Sequence, residues 1–215
     1  MARPAVAALA FATVAAAVVL GRPGLTTVVG CGYGSEPWPS QTAGDWVTYA
    51  DHVVVASPAG EQDTGRQDYA KGPVAYTVDR LVAFRTDGVL WSTERPRRAI
   101  GRDFDMVAPG WRVPRATGER IEANSGDAPR LETGHTYLLA LRWDEGGWTV
   151  LGEGAAVPFD DGVAGRGEWC GRVLTEEEVA GAERFSRKDD RSLEKVLLGR
   201  GEAAVSRELA RAEGR

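Results

Sequence analysis

Two cysteines, Cys31 and Cys170, and two histidines, His52 and His135, carry the readiest nucleophilic, redox or metal chemistry in this chain. None stands at a spacing those uses require. His52 follows Asp51 inside an apolar run and His135 opens "HTYLLALRW", and neither has a companion at zinc-ligand spacing. Two of Glu153, Asp160, Asp161 and Glu168 could hydrolyse a glycoside if they flanked a sugar cleft, but acids set among glycines are ordinarily solvated. A GxSxG elbow, an HExxH helix, a GxxxxGK phosphate loop and a paired CxxC are all missing from the sequence. The glycine clusters "GCGYGS" and "GEGAAV" lack dinucleotide-binding spacing and read as turns. Catalytic residues, cofactor-binding residues and metal ligands are therefore not expected.

Residues 4–20, "PAVAALAFATVAAAVVL", follow Arg3, hold no charge and show no polar face, which predicts a targeting segment over residues 1–30. A 17-residue helix would span about 26 Å, just short of a bilayer core, so a cleaved export signal fits better than a permanent span. Removing residues 1–30 leaves 24 basic against 31 acidic residues, a net charge of −7, which disfavours nucleic acid. Charge is uneven along the chain. Residues 85–120 hold eight arginines and five acids, whereas residues 144–178 hold nine acids and two arginines; such asymmetry is first of all solvated surface. Lysine supplies only Lys71, Lys188 and Lys195 of the 26 basic residues, and with abundant Ala and Gly this reads as high-GC codon usage of an actinobacterial type. For the cysteines, the even count in an exported chain favours a Cys31–Cys170 disulfide, with a lipid on Cys31 and free thiols as the alternatives. Membrane contact is expected only through the N-terminal segment or through that lipid.

These residues need elements to position them. "WVTYADHVVVAS" (46–57) predicts a strand ended by Pro58, 59–73 a long loop, and 74–84 a strand whose apolar phase shifts after Val78, the mark of a bulge. "GVLWS" (88–92) reads as the end of that strand's partner, 93–118 defeat any pattern, and "ERIEA" (119–123) predicts a short strand. Residues 135–152 predict a hairpin around "DEGG", with Leu139 and Leu141 in the core and Arg142 exposed. Trp143 and Trp148 flank its turn and Trp46 opens a strand, so packing accounts for most of the tryptophans. Thr175 and Glu178 form a capping-box pattern for a helix to about Phe185, and "RSLEKVLLG" and "EAAVSRELARAEG" predict two more. The expected fold is mainly β: a small Greek-key, OB-like barrel over 31–174 with a helical segment over 175–215 packed on it, a flat sandwich being the alternative.

With the strands placed, "YADHVVVASPAGE" (49–61), "AYTVDRLVAF" (75–84) and "ETGHTYLLAL" (132–141) resemble the netrin-type OB modules, over about residues 31–170. Cys31, Asp51, Val53 to Val55, Val78, Gly134 and Tyr137 occupy the places of that pattern. The resemblance implies an N-terminal cysteine bridged back to the barrel, here to Cys170. The tissue inhibitors of metalloproteinases share the module and chelate a target's zinc through their N-terminal cysteine, which implies protease inhibition as an alternative function. This chain has one cysteine where those inhibitors have several near the N-terminus. The expectation is a secreted or otherwise extracytoplasmic, non-catalytic binding or envelope-associated module for an unknown protein or envelope ligand. Protease inhibition is the alternative, and an extracytoplasmic hydrolase stands third.

Overall fold

Thr42 opens the first element. Its Oγ1 accepts the Asp45 amide at 3.1 Å while Asp45 Oδ2 accepts the Thr42 amide at 2.8 Å, a reciprocal cap that starts helix α1 (Ala43–Tyr49). The computed structural model describes residues 37–126, 128–173, 175 and 192–214. The expected strand over 46–57 is thus corrected: its first part is helix, because the cap precedes Trp46 and Ala50, which are four apart and both buried. Strand β1 begins at His52 and runs to Asp68.

Strands β2 (Val74–Ser92) and β3 (Asp103–Pro114) complete a long antiparallel meander with β1. Residues 59–68 are therefore strand rather than loop, and 88–92 are the far end of β2 itself, with β3 lying inside the stretch that showed no pattern. Pro58 does not end β1 because it falls just beyond Ala56, the last β1 residue paired on its other side (with Tyr137), where β1 becomes an edge, and a bulge between Pro58 and Gly60 absorbs the irregularity. The expected bulge in β2 is present, because the β2–β3 register slips between Val78 and Asp79 with Gly110 as the extra residue on β3, but the apolar phase itself does not shift. Val78, Arg80, Val82 and Phe84 keep one inward phase; the apparent break arises because an arginine holds a core position.

After the short strand β4 (Ile121–Glu122), β5 (Tyr137–Asp144) and β6 (Gly147–Val150) form the expected hairpin. Its turn is two residues, Glu145 (φ 47°) and Gly146 (φ 87°), not four; both are left-handed, the geometry that matches strand twist in tight hairpins. Strand β7 (Ala156–Pro158) extends the sheet beside β5, and β8 (Glu168–Trp169) with β9 (Arg172–Val173) makes a separate small hairpin.

The main sheet closes into a ring in the order β1–β2–β3–β6–β5–β1. This is the Greek-key order of an OB-like barrel, with closure incomplete at one seam. Alternate residues of β5 enter two apolar clusters. Tyr137, Leu139 and Leu141 face the barrel interior with Val54, Val82, Phe84 and Met106. Leu138 and Ala140 face outward and are covered by Trp46 together with Leu193 and Leu197 of α2 (Leu193–Leu197) and Val205 and Leu209 of α3 (Glu202–Glu213). The C-terminal helices are thus packed on the barrel. Arg142 is half-buried rather than exposed, lying 3.8 Å from the Trp38 ring centre and donating to the Tyr49 carbonyl at 2.9 Å. The predicted helix from Thr175 to about Phe185 lies, after Thr175, outside the described residues. Among the described residues no helix is long and apolar enough to cross a membrane.

Candidate functional site

The ring is closed unequally. β1 and β5 share five pairs, His52↔Leu141 to Ala56↔Tyr137, but β3 meets β6 through one parallel pair, Met106↔Trp148. Two cavities flank this seam, and Met106, Val107 and Thr149 line both. The inner cleft, about 190 Å³, has walls of small apolar residues including Ala108, Ala128, Leu131 and Ala156. The outer groove, about 710 Å³, runs past Phe104, Val107, Trp143 and Trp148.

Buried charge holds the far wall of the inner cleft. Arg80, 1% exposed, reaches from β2 to donate to the carbonyls of Pro109 at 2.9 Å, Leu131 and Arg130, and pairs with Glu61. Arg130, 3% exposed, donates to Gly110 O at 2.8 Å and Ala123 O at 3.0 Å and pairs with Glu132 at 3.2 Å. Glu168, fully buried, accepts from the amides of Arg130, Leu131 and Gly171 and from the Tyr137 hydroxyl. Together they fix Ala123, Arg130 and Leu131 where no ladder does. Burial, then the neighbouring Arg80, draws the Arg130 pKa down. Burial, with the charges of Glu168 and Glu122, pushes the Glu132 carboxyl up, and burial beside Glu168 pushes the Tyr137 hydroxyl up. Asn124 lines the cleft with a buried Oδ1 that has no partner, an acceptor available to a ligand's N–H or O–H.

Of the residues singled out in the sequence, Glu168 belongs to this network and Trp143 and Trp148 line the outer groove, His135 and Asp160 form a pair, and the rest lie apart. His52 is buried, its Nε2 on the Arg98 carbonyl at 2.8 Å and its Nδ1 on Ser92 Oγ at 2.7 Å, which fixes the loop after β2. His135 Nδ1 lies 2.7 Å from Asp160, whose other oxygen accepts the Thr136 amide. Glu168 is consumed as described, Asp161 is exposed beside Arg166, and Glu153 lies in a 3₁₀ turn; none of the four acids lines either seam cavity. Among the described residues no group of three or more His, Cys, Asp or Glu side chains could hold a metal ion. The arginine-rich stretch is dispersed onto local partners: Arg85 on Asp87, Arg97 on Asp51, Arg98 over Trp143, Arg115 on the Tyr69 carbonyl and Arg120 on Asp63. Cys170 sits half-buried at the β8–β9 turn with φ 55°, while Cys31 lies outside the described residues.

Sequence reasoning missed Arg80, Arg130, Asn124 and the seam. Only Arg80 left a legible signal, an arginine in phase with Val78 and Val82. Comparison with family models, with curated proteins and with solved structures finds no match for this chain.

Proposed function

We propose that this chain is an exported, non-catalytic binding module that takes its ligand along the β3–β6 seam. The observation that carries this reading is the seam itself, a ring joined by one residue pair and flanked by two cavities. Its supporting charges are committed to backbone groups and to one another, and the free functions it offers are an apolar wall, aromatic edges, the Asn124 acceptor and carboxylates spread along the outer rim. Such a lining fits recognition better than acid–base work, which needs convergent titratable groups facing a cavity. Placement outside the cell follows from the predicted leader at residues 1–30, and a Cys31–Cys170 bridge belongs to the same reading. Intact-mass analysis from the native host tests the bridge: a mass two hydrogens below the reduced chain supports it, and a diacylglyceryl adduct on Cys31 overturns it.

A photo-crosslinking residue placed at Val107, in the lining of both cavities, tests the binding reading in intact cells. Val89, also exposed and lining neither cavity, serves as control. A discrete adduct from position 107 and not from 89 is the expected result. No adduct at 107, or the same adducts at both positions, overturns it.

A further inference from the structure

Beside the seam, the outward face of the meander carries an unpartnered apolar strip. Strict alternation in β3 sends Phe104 and Met106 inward and Asp103, Asp105 and Val107 outward, and Val107 is 59% exposed. Register then sets Gln62, Leu81 and Val107 in one row across three strands and Gly60, Ala83 and Asp105 in the next. With small residues in that second row, a bound backbone can come close to the sheet. A cavity of about 290 Å³ over these rows shares Leu81 and Asp105 with the outer seam groove, so the two together make a trough from the β5–β6 turn across β3 and β2 to β1.

Charge identifies what fits there. Asp103, Asp105, Asp144 and Glu145 stand exposed in the groove lining, and the one cation of that lining, Arg98, lies 4.3 Å over the Trp143 ring. Arg85, opposite Asp103 in register, is paired with Asp87. These carboxylates do not gather into a metal-sized cluster; they are spread around an apolar floor. Spread charge suits an elongated cationic ligand better than a single ion. A second copy presenting the same face would set like charges against each other, and a polyanion would meet them directly. Arg98 on Trp143 shows that a guanidinium is accommodated on this rim.

We propose that this face docks a basic, extended protein segment, with Lys or Arg side chains on the rim carboxylates and apolar side chains over Leu81 and Val107. The proposal rests on the seam-binding reading and names its ligand class. An NMR titration of the full mature chain tests it, using a seven-residue peptide of alternating lysine and valine with its glutamate–valine counterpart as control.

The expected result is saturable shifts at Leu81, Asp105, Val107 and Glu145 to Gly147, with binding weakened about tenfold or more by Asp103→Asn, Asp105→Asn, Asp144→Asn and Glu145→Gln combined, and weakened by added salt. Neutralising Glu119, Asp161, Glu202 and Glu213 instead, an equal loss of exposed charge away from this face, should leave the affinity unchanged. Shifts confined to other surfaces, equal binding by the rim variant, or equal binding of the glutamate peptide would overturn the proposal. A crosslinked native partner at Val107 together with no binding of the lysine peptide overturns the basic-segment class and leaves the seam reading standing. Failure of both removes the seam reading as well.

Discussion

The two closures of this ring are built from opposite materials. At β1–β5, five residue pairs are apolar or buried, and the helices cover the outside of both strands. At β3–β6, one pair is left, and the wall beside it is held by Arg80, Arg130 and Glu168. An apolar ladder excludes space; a buried ion network can hold a segment at a distance and leave a cleft. The first kind of closure tolerates conservative change because burial is non-directional, whereas the second depends on individual atoms whose unpaired donors are costly.

Substitutions at the two closures can break this contrast. Glu168→Ala strands the amides of Arg130, Leu131 and Gly171 at once and should cost about 3–5 kcal/mol in denaturant unfolding, a value close to zero being inconsistent with its role as a pin. At the opposite closure, Leu139→Ala, fully buried in the barrel interior, should cost about 2–5 kcal/mol, but Leu139→Met less than about 1.5. If the methionine variant loses as much as the alanine one, that closure is more shape-specific than its apolar character implies. Arg142→Ala gives up the Trp38 stacking and one carbonyl bond and should cost about 1 kcal/mol.

A pH series sharpens the polar side. Glu132 is raised in the fold, so the folded chain holds its proton more tightly than the unfolded chain does. Its contribution to stability is therefore greatest below the ordinary carboxylate value of 4.5 and falls as pH rises from there through the elevated folded value. Glu132→Gln should remove that part of the slope, and an unchanged profile would show that the carboxyl is not perturbed. The smallest effect belongs to the outer rim. Val107→Ala, exposed and outside the core, should shift stability by no more than about 0.5 kcal/mol while weakening lysine–valine peptide binding measurably. A large loss of stability there would make Val107 a structural residue.

What could be read in the sequence follows this same division. Period-two alternation and a Glu-Gly turn made the β5–β6 hairpin legible, and the apolar stripes of the last two helices were legible for the same reason: burial leaves a pattern. Trp46 misled, because a strand-like composition outweighed the cap formed by Thr42 and Asp45. Residues 59–68 looked like a loop because β1 is an exposed edge there, paired on one side only, and carries Gly60, Gly65 and charges that suit such an edge and hide its extended form. The seam could not be read at all. It is created by where β6 stops meeting β3, a long-range register, and by Arg130 and Glu168, most of whose hydrogen bonds go to backbone atoms that carry no residue identity.

Native-state hydrogen exchange across the two closures measures the central asymmetry directly. The account predicts that amides of residues 53–55 and 138–140 exchange only through global unfolding, with denaturant dependence equal to that of the whole chain, whereas those of 106–108 and 148–150 exchange faster through local opening that depends little on denaturant. Equal protection at both closures, or faster exchange on the β1–β5 side, would contradict it.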